Sequence, residues 1–505
     1  MSQAPDQAQV AGQNLLLGAL LALVAVRLLS LGLYPLMDTT EARYAEMARV
    51  MAAVGDWVTP WHDRGVPFWG KPPLSFWLTA FSIRLFGSNE FAARLPHLLA
   101  AVTSAWLIWD WAMQRSRQEA LVAVSLLMGC ALTLVSAGAV MTDMTLALGT
   151  TLAMRGFWLG IQAGRPGRQR EAWLFYVGLA IGLLAKGPLT LVLVGMPLAA
   201  WTLWQRQWTA VWRQLPWLGG SLLVVLLAGP WYVLAELRTP GFLDYFLMGE
   251  HWHRFVTPGW SGDRYGLAHS VPHGSIWLYV GAATLPWSLM LPLAAWRWRR
   301  RATVAAVAPD ADKSLRRYWL VWSLSPLLFF SFASNILWTY ALPVLPALAL
   351  LGARWFTQRH PAHAVNRYLS LGLLLNTLLL AAGTAFLHAH KTDDWHNSQQ
   401  LVERYLALNQ GDTQKPLLFH PQRPYSATFY SRGQAELIPA ATKLAERLAQ
   451  QDALLAVYVG ALSQLPSAWL PCLSVLEGHG DYVLFSTRPA SVGVPSEKCF
   501  ATEAR

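Results

Sequence analysis

Charge is what this chain has least of. Only 13% of its 505 residues are Asp, Glu, Lys or Arg, against roughly 25% in soluble proteins, while 54% are hydrophobic. So few charges could not cover the surface of a soluble protein this large, which excludes the soluble, fibrous and disordered classes and leaves a polytopic membrane protein. There is no tandem repeat and no low-complexity block. A basic segment is missing ahead of the first apolar run, where Asp6 is the only charge before Arg27; that run is therefore an uncleaved span rather than a signal peptide. Cysteine is scarce too: Cys130 lies inside an apolar run and reads as a packing residue, and Cys472 and Cys499 share the tail, where they form either a disulfide or two buried thiols.

A net charge of +11 is not evidence for nucleic acid, because from Lys391 onward ten Lys/Arg face eleven Asp/Glu. The basic excess lies among the apolar runs, where it reports orientation. Runs long enough to span a bilayer (about 20 residues) occur at 14–34, 91–113, 119–139, 142–162, 172–186, 188–206, 215–236, 274–296, 318–334, 336–353 and 366–388. With a cytoplasmic N-terminus, every inside loop carries arginines, for example Arg115, Arg165, Arg213, Arg316 and Arg359, and residues 35–90, 237–273 and 391–505 lie outside. The tail 391–505 mixes helical stretches with strand-like runs such as Leu454–Val459 and Tyr482–Phe485. The expected architecture is an all-α polytopic membrane domain over 1–390, with about 11–13 transmembrane helices, followed by a small periplasmic α/β domain over 391–505.

Ionisable groups beside a membrane are costly, so their clustering carries information. Here they gather at the outer face: Asp38, Glu41, Arg43, Glu46 and Lys71 in the first loop, Asp143 opening the fourth span, Lys186 ahead of Gly187 and Pro188, and Glu250, His251, His253, Arg254 and His273 in the 237–273 loop. Moving a sugar from a lipid phosphate needs cations for the departing phosphate and a carboxylate near the oxocarbenium-like centre. Each residue also has a plainer reading: Asp38 and Asp143 as helix caps, Arg43 and Lys71 as interfacial anchors.

The runs Asp38-Thr-Thr-Glu-Ala-Arg-Tyr-Ala-Glu46, Gly55-Asp-Trp-Val-Thr-Pro60 and Gly70-Lys-Pro-Pro-Leu-Ser-Phe-Trp77 resemble the first periplasmic loop of the aminoarabinose-transferase and protein O-mannosyltransferase-like members of the GT-C glycosyltransferases. Met141-Thr-Asp-Met144, Ala185-Lys-Gly-Pro188, Glu250-His-Trp-His-Arg-Phe255, Leu285-Pro-Trp287 and Trp338-Thr-Tyr-Ala-Leu-Pro343 extend the resemblance over about residues 10–355. It implies an inner-membrane enzyme that moves a sugar from a polyprenyl-phosphate donor on the periplasmic side, with 4-amino-4-deoxy-L-arabinose and lipid A phosphate the first choice of sugar and acceptor. It makes Asp38, Glu41 and Asp143 the catalytic carboxylates, Arg43, Lys71, Lys186 and Tyr340 the donor-phosphate ligands, and Glu250, His251, His253, Arg254 and His273 the outer-loop part of the site. A divalent metal is optional, with Glu250, His251 and His253 as its ligands. Two departures stand out: Thr40-Glu41 replace the family's adjacent Asp-Glu, and Gly70 replaces the Glu before the Lys-Pro pair. The alternatives are transfer of another lipid-linked sugar to protein, glycan or another envelope lipid, a lipid-linked sugar transporter, and an assembly protein. The transporter would call for interrupted midplane helices and internal pseudo-symmetry, and neither is evident.

Overall fold

The computed structural model describes residues 7–266, 270–298, 310–390, 396–409, 415–487 and 500. It packs as two units, one of Met1–Leu31 with Met51–Ala381 and the other of Gly32–Val50 with Ala382–Arg505. Residues 32–50, which the sequence attaches to the first outer loop, thus pack with the C-terminal segment.

The first unit is helical and spans a membrane several times. Among the described residues five helices are long and apolar enough to cross (Gln9–Ser30, Glu90–Met113, Trp217–Arg238, Trp338–Arg359 and Ala362–Ala389), and a sixth crossing arises if Ser275–Ala283 and Trp287–Leu293, bent by 81°, form one broken span. Hydropathy alone suggests eleven runs, and some of these meet breaks or hold buried charge in the structure. The 119–139 run breaks at Gly129 and Cys130 into Arg117–Met128 and Ala131–Ser136. The 336–353 run opens as a 3-10 turn, Trp338–Val344, yet still counts among the five as Trp338–Arg359. The helices Asp143–Gly160 and Arg168–Lys186 are continuous but hold charged groups inside the protein.

Those last two helices form the scaffold of the site. They run antiparallel with an ion pair at each end: Asp143 with Lys186 at one, and Arg155 with Glu171 at 2.5 Å at the other. Small residues allow so close a packing. A Cβ added at Gly149 would meet the Gly182 nitrogen at 2.7 Å, one at Gly156 the Phe175 nitrogen at 2.6 Å, and one at Gly178 the Ala153 nitrogen at 2.4 Å. These neighbours are backbone and cannot yield without moving a helix. Gly178→Val is expected to cost about 2–3 kcal/mol through overpacking, measured as a lower unfolding midpoint in detergent. Gly195→Val is the control and should be near neutral, since a Cβ there meets nothing within 4 Å.

The second unit holds a five-stranded sheet in the order Ala435–Leu437, Leu417–His420, Leu454–Tyr458, Tyr482–Thr487, Leu473–His479, with the first two pairings parallel and the rest antiparallel. Alternation along the strands buries both faces. Leu418, Leu455 and Val457 pack with Leu444 and Leu448 of the Ala441–Gln450 helix. Leu417, Phe419 and Ala456 pack with Leu401 and Tyr405 of the Gln399–Leu408 helix. The sequence anticipates this small α/β domain; its proposed Cys472–Cys499 bridge involves Cys499, which lies outside the described residues.

Candidate functional site

Lys186 ends its helix, and Gly187 turns the chain at φ +81. A side chain at Gly187 would be strained by that φ and would also strike the Phe246 ring at 2.5 Å. The turn leaves the Lys186 ammonium bonded to Asp143 and 4.3 Å from the centre of the Tyr340 ring. His251 clamps the same turn, with Nδ1 2.7 Å from the Phe246 carbonyl and Nε2 3.2 Å from the Lys186 carbonyl. Burial pushes the His251 pKa below its ordinary value, so the ring is neutral near pH 7 and donates through one nitrogen at a time.

A second charge cluster comes from the 35–90 and 237–273 segments. The Lys71 ammonium donates to Glu250 Oε2 at 2.8 Å and to the Gly70 carbonyl at 2.6 Å. Arg254 donates to both Glu250 oxygens at 3.1 Å and reaches Asp263 at 3.5 Å. Burial alone would raise the Glu250 pKa, but the Lys71 and Arg254 cations outweigh it and hold the carboxyl below its usual range. Glu250, His251, Arg254, Asn335 and Tyr340 line a cavity of about 500 Å³ whose remaining walls are apolar, Leu189, Phe329 and Phe330 among them. Asn335 is 6% exposed, and its side-chain nitrogen has no hydrogen-bond partner among the described residues. Sequence reasoning passed over Asn335; its signal is a polar Ser334-Asn335 pair interrupting an apolar run.

Asp38, Glu41 and Arg43 belong to the other unit. Asp38 Oδ1 accepts from the Ser426 amide at 3.1 Å, and Oδ2 accepts from the Ser426 hydroxyl. Burial pushes the Asp38 carboxyl up to about 6, against the opposing pull of the Ser426 bonds. Glu41 accepts from the Met37 amide at 3.0 Å, which ties down the entry to the Thr40–Val54 helix. Arg43 lies 5.4 Å from the Tyr44 ring centre and 5.8 Å from that of Tyr425. The structure therefore brings together Lys71, Asp143, Lys186, Glu250, His251, Arg254 and Tyr340 in the helical unit, and Asp38, Glu41 and Arg43 in the other.

Glu250, His251 and His253 do not converge as metal ligands. Glu250 is engaged by two cations, both His251 nitrogens face carbonyls, and the exposed His253 stacks on Trp260 with ring centres 6.0 Å apart. Among the described residues no group of three His, Cys, Asp or Glu could hold a metal ion. His273 is exposed, two residues after Val271, whose amide bonds the Ser334 carbonyl.

The chain is similar to several known proteins. Residues 13–246 match the dolichyl-phosphate-mannose-protein mannosyltransferase family. An undecaprenyl phosphate-alpha-4-amino-4-deoxy-L-arabinose arabinosyl transferase of Pseudomonas fluorescens is 30% identical over 404 residues, 77% of this chain and 66% of the relative. Its counterpart in Erwinia tasmaniensis is 32% identical over 334 residues, 64% of this chain and 56% of the relative. The chain thus spans under two thirds of the length of these curated relatives. ArnT from Cupriavidus metallidurans, crystallised with undecaprenyl phosphate, superposes with a TM-score of 0.76 at 21% identity over 95% of this chain and 99% of that one. The shared fold, together with motifs that supply Lys71, Asp143, Lys186, Glu250 and Tyr340 in order, has one reading: the chain belongs to the aminoarabinose-transferase-like, protein O-mannosyltransferase-related family of GT-C membrane glycosyltransferases.

Proposed function

We propose that this protein transfers 4-amino-4-deoxy-L-arabinose from undecaprenyl phosphate to a lipid A phosphate, on the periplasmic side of the inner membrane. The carrying observation is a set of three cations in and beside a largely apolar cavity, each already held by a carboxylate: Arg254 lines the cavity, Lys71 shares Glu250 with it, and Lys186 sits against the Tyr340 ring of its wall. A lipid phosphate fits both halves of such a site, its oxygens replacing carboxylate contacts while the chain enters the apolar part. The names of the relatives supply the sugar and the donor.

In this reading the donor phosphate competes with Asp143 for Lys186 and with Glu250 for Lys71 and Arg254. The acceptor oxygen bonds to the anomeric carbon as the carbon–oxygen bond to the carrier phosphate breaks. The electron pair leaves on the phosphate, where the cations meet the growing charge. Asn335 offers the incoming donor a buried hydrogen-bonding group. The test is transfer by purified protein in detergent, with mass spectrometry of lipid A from a deletion strain. Unmodified lipid A in the wild type, with changed protein, glycan or other envelope lipid in the deletion, would move the reading to another lipid-linked sugar.

The acceptor step is assigned to Asp38, with Glu41 and Arg43 ordering its loop. A lipid A phosphate is already an anion with no proton to give up, so the Asp38 carboxylate steadies positive charge at the anomeric carbon; only a hydroxyl acceptor would need it as a base. Transfer should then fall below about pH 6 in the wild type, because protonation removes the charge of the Asp38 carboxylate. Ser426→Ala deletes a hydrogen bond that favours the ionised form, so the acidic limb should move to higher pH. Asp38→Asn should lower turnover and flatten the limb while sparing donor binding. Wild-type turnover in Asp38→Asn would reduce the residue to a tie between its loop and Ser426.

A further inference from the structure

The helix Leu345–Arg359 has the Lys186–Tyr340 site just before its first residue and a second feature at its other end. There a cavity of about 530 Å³ is walled by Leu291, Pro292, Leu348 and Trp355 and bordered by Arg316, Arg354 and Arg359. Leu291, Pro292 and Leu348 also line an apolar cavity of about 300 Å³ that reaches Cys130 and Trp287. The two make one groove with apolar walls and a cationic mouth.

The arginines divide by what they already hold. Arg354 is committed to Glu119 at 3.0 Å and Asp312 at 2.7 Å. Arg316 and Arg359 have no acidic partner among the described residues, and Arg359 lies 5.5 Å from the Trp355 ring centre. At 1.5 Å per residue, the stretch from Leu345 to Arg359 is roughly 21 Å long. Half of a ~30 Å hydrocarbon core is roughly 15 Å, so the groove covers one leaflet and brings the arginines to headgroup level.

We propose that this groove is a binding site for an anionic phospholipid, with an acyl chain along Leu348, Leu291 and Pro292 and the phosphate held by Arg316 and Arg359. A free phosphate would have no use for the apolar stretch. A zwitterionic lipid would bring a cation back to a mouth that already has cations in excess. A polyprenyl chain is far longer than the groove.

Native mass spectrometry of the full chain in detergent tests this, with phosphatidylglycerol and phosphatidylethanolamine offered at equal concentration. Wild-type protein should retain phosphatidylglycerol at least fivefold better, and 10 mM inorganic phosphate should not displace it. The pair R316Q/R359Q should bring retention down to the phosphatidylethanolamine level. L348W should block both lipids by filling the groove, with wild-type elution on size exclusion showing that the variants fold. Equal retention of the two lipids by the wild type, unchanged preference in R316Q/R359Q, or displacement by undecaprenyl phosphate at equal concentration would overturn the proposal. None of these readouts depends on sugar transfer, so the site stands or falls separately from the enzymatic reading.

Discussion

Replacing Lys186 with methionine should cost about 3–5 kcal/mol of stability and lower transfer at least 100-fold, and the two losses should separate when Asp143 is changed as well. The stability term follows from burial. The Lys186 and Asp143 side chains are 7% and 12% exposed, so removing the cation leaves a buried carboxylate without its main partner. Neutralising both partners removes that penalty, because a buried ion pair contributes little over a well-packed neutral pair. The double variant Asp143→Asn/Lys186→Met should therefore unfold near the wild-type midpoint. Its activity should stay at the level of the single variant, because loss of one group that stabilises developing charge costs 10²–10³ in rate. Thermal unfolding and single-turnover transfer on the same preparations give both numbers. Recovery of transfer in the double variant would show that Lys186 serves only to neutralise Asp143.

Part of this site could be read without coordinates. A lysine followed by Gly187 and Pro188 between apolar runs declares its own peculiarity, and so does Asp143 at the head of another run. Their pairing was not readable, since it depends on Gly149, Gly156 and Gly178 letting two helices approach until backbone nearly touches backbone. Asp38 shows the opposite limit. Its acidic neighbourhood marks it as functional, yet its partner Ser426 lies 388 residues further along the chain, and nothing in either local pattern points to the other. The apolar runs coincide with helices of the structure, and five of those helices, or six with the bent pair, are by themselves long and apolar enough to cross a membrane among the described residues. Hydropathy averages over Gly129 and over Leu285-Pro286, where the backbone breaks, and it does not show that neighbouring helices bury the helix carrying Asp143 and Arg155. The surroundings of Glu250 are hidden for a related reason: residue type is visible in a sequence, but Glu250 being claimed by Lys71 from 179 residues away is not.

Lys71 and Glu250 should give effects of opposite sign on donor binding, which makes them the sharper test of phosphate capture. Lys71→Ala should weaken binding of undecaprenyl phosphate and slow transfer, for a combined loss of about 2–4 kcal/mol in kcat/KM. Its cost to folding should be small, because Glu250 keeps Arg254 at 3.1 Å and the Tyr245 hydroxyl at 3.4 Å. Arginine at position 71 should rescue only in part, since a planar fork does not replace a compact ammonium that also serves the Gly70 carbonyl. Glu250→Gln keeps shape and polarity but withdraws the anion that competes with phosphate for Lys71 and Arg254. Donor binding should therefore tighten, by a few-fold to tenfold, even as turnover falls because the leaving phosphate is held too firmly to depart. Binding of undecaprenyl phosphate measured by calorimetry on both variants settles the point. If Glu250→Gln weakens that binding as Lys71→Ala does, the carboxylate orders the two cations for the phosphate and does not compete with it.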